Sequence, residues 1–138
     1  MIEWSLFSES WPQYAAGLWL TLQLTLPSLA VGLLFAIPLA VARVSPNPLV
    51  YGPVWLYGYF FRGTPMLVQL LLVYYGLGQF EWIQAQWADG NRFWLVFRNP
   101  YGCALITFAL NTCAYSTEIL TGALRATPHG EIEAARAC

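Results

Sequence analysis

Long apolar stretches alternate along the chain with short polar ones, and this alternation predicts its architecture. Residues 10–42 contain no charged side chain, and about 20 apolar residues suffice to cross the hydrocarbon core of a bilayer as a helix. We therefore predict a first transmembrane helix at about residues 15–42, after an N-terminal segment of residues 1–14. Two further apolar stretches predict spans at about residues 54–78 and 101–124.

The second apolar stretch is interrupted by the polar run Arg62–Pro65, and two structures fit this interruption. In one, a single long helix kinks at Pro65. In the other, a short interfacial helix precedes a spanning helix. The segment from Val54 to Phe61 is rich in Trp, Tyr and Phe, as interfacial segments often are. Both alternatives stay open at the level of sequence.

Prolines and small residues add detail to the first predicted helix. Pro27 and Pro38 each remove a backbone donor, so we expect the helix to bend there. Gly32, Ala36 and Ala40 recur every four residues and predict a stripe of small side chains that lets another helix approach closely. The alternative is a chance spacing in an alanine-rich segment.

Composition favours a membrane protein and argues against several other classes. Of the 138 residues, 58% are hydrophobic and 9% are charged, whereas soluble domains carry about 25% charged residues. The chain has no lysine, which excludes a P-loop within it, and its arginines are scattered, which argues against a nucleic-acid surface. Its three cysteines form no C-x-x-C pair and it has a single histidine, so we expect no metal site and no cofactor.

Arginine positions predict the orientation of the spans, because cytoplasmic loops are enriched in positive charge. Arg43 follows the first span, Arg125 and Arg136 follow the third, and the N-terminal segment carries two glutamates and no arginine. We therefore predict a periplasmic N-terminus, a cytoplasmic loop after the first span and a cytoplasmic tail. Residues 79–100 are predicted to form an outer polar loop with one short amphipathic piece.

Two ionisable residues, Arg62 and Glu118, fall within predicted spans. Charges at membrane depth are costly and therefore usually face a cavity or a partner. Three interpretations remain open: the two residues line or gate a polar path, they form a structural ion pair, or Arg62 extends to the headgroups. Three polar residues either contact a polar solute or hydrogen-bond between helices: Thr64, Gln69 and Asn111.

A short motif lies at the end of the chain, on the predicted cytoplasmic side. Residues 131–138 are rich in helix formers, and Glu133-Ala134-Ala135 follows Pro128-His129-Gly130. This run resembles the EAA motif of bacterial ABC importer permeases, in which a cytoplasmic helix docks into the ATPase subunit and transmits its motion. The resemblance implies that residues 129–138 begin this coupling helix, with five coupling residues: Gly130, Glu131, Glu133, Ala134 and Ala135.

Two further runs narrow the resemblance. The run Phe60–Pro65, followed by Leu67-Val68-Gln69 and Tyr74-Tyr75-Gly76, resembles the polar amino-acid branch of these permeases. The stretches Asn111–Glu118 and Pro128–Ala135 are similar to the M subunit of the histidine/lysine/arginine/ornithine and arginine/ornithine transporters. The resemblance extends over essentially the whole chain.

This resemblance implies an all-α integral membrane protein with the type I ABC importer permease fold, in which residues 15–138 are a partial transmembrane domain. Further spans are then expected after Cys138. The implied partners are a homologous permease subunit, two ATP-binding subunits, a periplasmic amino-acid-binding protein and membrane lipid. The implied function is the import of polar, basic amino acids across the bacterial inner membrane, without catalysis in this chain. The competing interpretations are a membrane-embedded enzyme and a structural assembly subunit.

Overall fold

The computed structural model of the chain describes the backbone of residues 4–138 and the side chains of residues 10–128 and 130–138. Over this range the secondary structure is entirely helical, so the all-α prediction is confirmed. The first three residues of the predicted periplasmic segment lie outside the described range. Four longer helices organise the fold: α1 (Trp4–Arg43), α2 (Pro48–Gly63), α6 (Pro100–Ala126) and α7 (His129–Ala137).

Helix α1 is continuous through Pro12, Pro27 and Pro38, although each proline lacks a backbone donor. Pro27 cannot bond the carbonyl of Gln23, one turn earlier, and the Tyr101 hydroxyl of α6 donates to that carbonyl at 3.1 Å. A neighbouring helix therefore satisfies the group that the proline frees, as is usual for prolines in membrane helices.

The core of the fold is the contact between α1 and α6. Ser28, Gly32, Ala36 and Ala40 form one buried stripe along α1. A Cβ atom added to Gly32 would lie 2.9 Å from the Thr112 side chain and 3.0 Å from the Ala109 carbonyl oxygen. The helices are thus in backbone-to-side-chain contact, and the predicted small-residue stripe is confirmed.

Contacts between α1 and α6 occur in the same order along both helices. Tyr101 near the start of α6 contacts Gln23, Thr112 faces Gly32, and Glu118 contacts Arg43 at the end of α1. The two helices therefore run parallel.

The predicted span at residues 54–78 is not one continuous helix. Helix α2 ends at Gly63, Thr64 and Pro65 are extended, and α3 (Met66–Leu71) follows. The residue before a proline is disfavoured in the helical region, and Pro65 itself lacks a donor. The structure thus corresponds to the alternative with two separate helices.

Helix α2 lies across α6 rather than along it. Tyr57 and Phe61, one turn apart on α2, reach the adjacent α6 residues Leu110 and Asn111. Gly58 and Arg62, also one turn apart, both face Glu118. Residues one turn apart on α2 therefore contact nearly the same level of α6, as expected when two helices cross.

The segment between α3 and α6 is more helical than the predicted polar loop. After α3 the chain continues as a π-helical turn, Leu72–Gly76, and a 3-10 turn, Leu77–Gln79. Two short helices follow, α4 (Glu81–Ala88) and α5 (Arg92–Leu95), and a 3-10 turn, Val96–Arg98. A 2.7 Å bond from the Trp87 indole to the Trp94 carbonyl and an edge-to-face contact between Trp82 and Trp94 hold the two helices together. Residues 79–100 thus contain two short helices where a loop with one short amphipathic piece was predicted. Indole packing stabilises these helices, which have no strong periodicity of their own.

Within the described residues, two helices are long and apolar enough to cross a bilayer: Ser10–Arg43 and Pro100–Ala126. A third candidate is bent, since Met66–Gln79 and Glu81–Ala88 meet at 78°. Such a bend is compatible with either a broken span or a re-entrant loop.

Candidate functional site

Glu118 is shared by two arginines that come from different helices. Arg43 Nε donates to Glu118 Oε1 at 3.0 Å, and Arg62 Nη1 lies 3.4 Å from Glu118 Oε2. Of the three interpretations open for Arg62 and Glu118, the contacts fit an ion pair between them. Sequence reasoning missed Arg43, which it assigned to the loop after the first span. Helix α1 includes Arg43, three residues beyond the buried Ala40 and therefore on the same face.

Small and aromatic residues shape the space around these three charges. A Cβ atom on Gly58 would lie 3.6 Å from Glu118 Oε1, so α2 passes close to the carboxylate at this glycine. The Arg43 guanidinium lies 4.5 Å from the centre of the Tyr51 ring, and that of Arg62 lies 5.8 Å from the Tyr115 ring. Aromatic faces attract cations at such distances.

The charges of this cluster do not cancel, since two guanidiniums share one carboxylate. The Arg43 side chain is 8% exposed, and its Nη1 has no hydrogen-bond partner among the described residues. The Arg62 side chain is 43% exposed. The negative charge of Glu118 is therefore already balanced within the chain, and it is poorly suited to select a cationic solute.

A second polar cluster surrounds the chain break between α2 and α3. The Gln69 side chain, 3% exposed, donates from Nε2 to the carbonyls of Phe61 at 2.8 Å and Thr64 at 2.9 Å, and to Thr64 Oγ1 at 2.7 Å. Asn111 Nδ2 on α6 donates to Gln69 Oε1 at 3.2 Å and to the Phe61 carbonyl at 3.3 Å. The amides of Gln69 and Asn111 thus connect the break to α6.

The position of Pro65 explains why amides are needed at this break. In an uninterrupted helix the Phe61 carbonyl would accept from the backbone N–H of residue 65, and proline has none. Buried carbonyls require a partner, and Gln69 and Asn111 supply it. Of the two interpretations open for Thr64, Gln69 and Asn111, the contacts fit hydrogen bonding between helices. A direct role of these residues in solute contact remains a prediction.

We call Arg43, Arg62 and Glu118 the charge cluster, and Gln69, Asn111 and the carbonyls that they bond the amide cluster. The two clusters meet at the end of α2, because the Phe61 carbonyl belongs to the amide cluster and Arg62 to the charge cluster. All five residues predicted for a polar path or an inter-helix role are thus gathered around this one end of α2: Arg62, Thr64, Gln69, Asn111 and Glu118. Sequence spacing did not reveal that adjacent residues would divide between two clusters.

An open apolar groove of about 470 Å³ lies between α1, α2 and α6. Its walls include Val31, Phe35, Val54, Ile106 and Leu110. Such a lining offers almost nothing to hydrogen-bond, so a polar solute gains little from entering it.

The predicted coupling residues lie on α7, a short helix after the break at Thr127 and Pro128. Ile132 is half-buried, whereas the five predicted residues are exposed: Gly130, Glu131, Glu133, Ala134 and Ala135. The Glu131 backbone N–H donates to the Pro128 carbonyl at 3.1 Å in the first turn. The side chain of His129 lies outside the described residues.

The chain is similar to transport permeases from several bacteria. The family model described as "Binding-protein-dependent transport system inner membrane component" matches residues 28–138. The histidine/lysine/arginine/ornithine transport system permease protein HisM of Salmonella typhimurium is 46% identical over 121 residues, which cover 88% of this chain and 50% of that protein. The nopaline transport system permease protein NocM of Agrobacterium fabrum is 40% identical over 132 residues, covering 96% and 53% respectively.

A similar fold occurs in a crystal structure described as that of an amino acid ABC transporter with histidines. The TM-score is 0.77 at 28% sequence identity, and the match covers 99% of this chain and 57% of that chain. The chain spans about half the length of the curated relatives it matches.

Proposed function

Because the chain belongs to the family of binding-protein-dependent transport system inner membrane components, we propose that it is part of a type I ABC importer permease for polar, basic amino acids. The solutes are those of the histidine, arginine, lysine and ornithine class. The partners are a homologous permease subunit, a periplasmic amino-acid-binding protein and two ATP-binding subunits that hydrolyse ATP. The chain itself lines part of the solute path, and its helix α7 links the membrane helices to an ATP-binding subunit.

One observation carries this proposal: an exposed helix with a Glu-Ala-Ala motif follows directly on a helix that is apolar enough to span. Helix α6 ends at Ala126, and α7 begins at His129. The exposed carboxylates of Glu131 and Glu133 and the small side chains of Ala134 and Ala135 suit a helix that docks against another subunit. A short isolated helix has little stability in water, so a docking partner would also stabilise α7.

The parallel arrangement of α1 and α6 puts the ends of both helices on the same side of the membrane, as the proposed orientation requires. Two spans that cross in the same direction require the chain between them to cross back once, or another odd number of times. In the proposed arrangement, the bent helices between Met66 and Ala88 form one broken span and are that return. With the N-terminus in the periplasm, the ends of both α1 and α6 then face the cytoplasm. Helix α7 is thereby delivered to the side on which ATP is hydrolysed.

The relatives suggest a solute class rather than one solute. Their names specify histidine, lysine, arginine and ornithine in one case, nopaline in another and octopine in a third. Because Glu118 is balanced by two arginines, we assign solute selection to other residues. Thr64, Gln69 and Asn111 hold the end of α2 in position beside the path.

The test is a double charge change on α7 in the complete transporter, Glu133→Lys with Ala135→Asp. We expect a tenfold or greater loss of amino-acid uptake, of the order found when a buried interface contact is removed, with the subunit still inserted in the membrane. The measurement is uptake into proteoliposomes together with ATP hydrolysis, expressed as solute moved per ATP hydrolysed.

The control is Glu81→Lys, which reverses an exposed acid on α4, far along the chain from α7. This variant should leave the ratio of uptake to hydrolysis unchanged. Normal uptake by the double α7 variant would refute the coupling role of this helix. Labelling of α7 by a periplasmic reagent would refute the orientation as well.

A further inference from the structure

The charge cluster has one guanidinium more than its carboxylate can balance. Arg43 is buried and makes the shorter contact to Glu118, 3.0 Å, whereas Arg62 is half-exposed and lies 3.4 Å away. Arg43 alone therefore neutralises Glu118, and Arg62 is available to a second anion. The Nη1 of the buried Arg43 also has no hydrogen-bond partner among the described residues, so a donor beside the same carboxylate is left unsatisfied. A surplus cation that is bordered by apolar surface favours a counter-charge.

The surroundings of Arg62 have the character of a membrane interface. Helix α2 lies across α6, and Trp55, Tyr59 and Phe60 are exposed along it. Trp and Tyr concentrate at the level of the lipid headgroups. On α6, Tyr115 lies beside Arg62 and Ile119 follows one turn later; they are 47% and 71% exposed. The exposed guanidinium is thus bordered by apolar and aromatic surface on two helices.

We propose that Arg62 binds the phosphate of an anionic phospholipid, with Arg43 keeping Glu118 satisfied behind it. The acyl chains of this lipid lie against Ile119 and the exposed aromatic residues of α2. Basic pockets between transmembrane helices on the cytoplasmic side are known to bind anionic headgroups, and the proposed orientation puts this cluster in the cytoplasmic leaflet. The lipid supplies the charge that the cluster lacks.

A lipid accounts for the site better than an acidic peptide or a soluble anion does. All three could pair with a guanidinium, since phosphates and carboxylates are its ordinary ligands. A soluble anion would leave Ile119, Trp55 and Tyr59 without an apolar partner, and so would a peptide segment whose side chains are all polar. A phospholipid covers the charge and the apolar border together.

The experiment measures lipid retention by the complete subunit with its partners, in nanodiscs that contain equal amounts of phosphatidylglycerol and phosphatidylcholine. Native mass spectrometry counts the lipids that stay bound. We expect preferential retention of phosphatidylglycerol, weakened about fivefold in Arg62→Gln, since one arginine near a lipid surface contributes about that factor. Arg62→Lys keeps the charge and should retain the lipid.

The matched control is Arg125→Gln, which removes an exposed arginine from the last turn of α6 without touching the cluster. Equal effects of Arg62→Gln and Arg125→Gln would overturn the proposal, as would retention without preference for the anionic lipid. Displacement of the lipid by millimolar inorganic phosphate would reassign the site to a soluble anion. Reduced binding of another subunit by Arg62→Gln, with lipid retention unchanged, would reassign it to an acidic protein segment. None of these readouts depends on transport.

Discussion

Helices α6 and α7 are consecutive in the chain, yet they relate to the rest of the molecule in opposite ways. Helix α6 buries Cys103, Thr107 and Ala114 completely and balances its one carboxylate with two arginines. Helix α7 leaves both of its carboxylates and all three of its alanines exposed. The interactions of α6 are therefore largely completed within the chain, whereas the exposed side chains of α7 fit the docking role proposed for this helix.

The strongest test of this contrast removes one carboxylate from each helix. Glu118→Ala leaves two guanidiniums without their shared acceptor, and we expect a loss of about 3 kcal/mol in the free energy of unfolding. The larger values found for fully buried pairs are not expected, because Arg62 is partly exposed. The measurement is unfolding in mixed detergent micelles, followed by tryptophan fluorescence.

Glu133→Ala on α7 is the matched control and should change this free energy by less than about 0.5 kcal/mol. Comparable losses from both variants would show that the distinction between the two helices is wrong. Exchanging the charges, Arg62→Glu with Glu118→Arg, should not restore stability, because Arg43 would then face the new arginine. A full rescue would mean that Arg43 contributes little to the cluster.

A smaller effect is expected where α1 packs against α6. Gly32→Ala adds a methyl group 2.9 Å from Thr112 and 3.0 Å from the Ala109 carbonyl oxygen. Such overpacking typically costs about 1–3 kcal/mol, measured by the same unfolding experiment. Gly17→Ala on the same helix meets nothing within 4 Å and should be neutral or slightly stabilising, since alanine is the better helix former. Equal tolerance at both glycines would contradict the close approach of the two helices.

The smallest effect is expected at the amide cluster. Gln69→Leu leaves the Thr64 carbonyl without its side-chain donor, while Asn111 still serves Phe61. Hydrogen bonds between membrane helices contribute about 0.6–2 kcal/mol each, and we expect a loss in this range. Gln79→Leu, at an exposed position after α3, is the control. A solute-binding role for Gln69 would instead appear as a raised KM for uptake at unchanged stability.

The small-residue stripe illustrates what periodicity predicts well. Gly32, Ala36 and Ala40 were expected to face another helix, and they do, because residues four apart share one face of any α-helix. The identity of the partner was not predictable, since several spans could have packed there. The break at Pro65 was likewise visible, but its geometry depends on the amides of Gln69 and Asn111, one of which lies on a distant helix.

Arg43 illustrates the opposite case. Its position at the edge of an apolar stretch is typical of a loop residue, and nothing nearby in the sequence carries an acid to pair with it. Only the parallel packing of α1 against α6 brings it to Glu118, 75 positions away. The same packing brings Tyr101 to the carbonyl that Pro27 leaves unpaired.

By itself the sequence determined that this protein is helical, that its apolar stretches suit a bilayer, and that a charged alanine-rich helix follows the last of them. Those properties depend on composition and on periodicity within single segments. The tertiary structure decided which charges and carbonyls become partners, because that requires the relative direction and depth of helices far apart in the chain. Pairing across helices is a property of packing, and no local pattern encodes it.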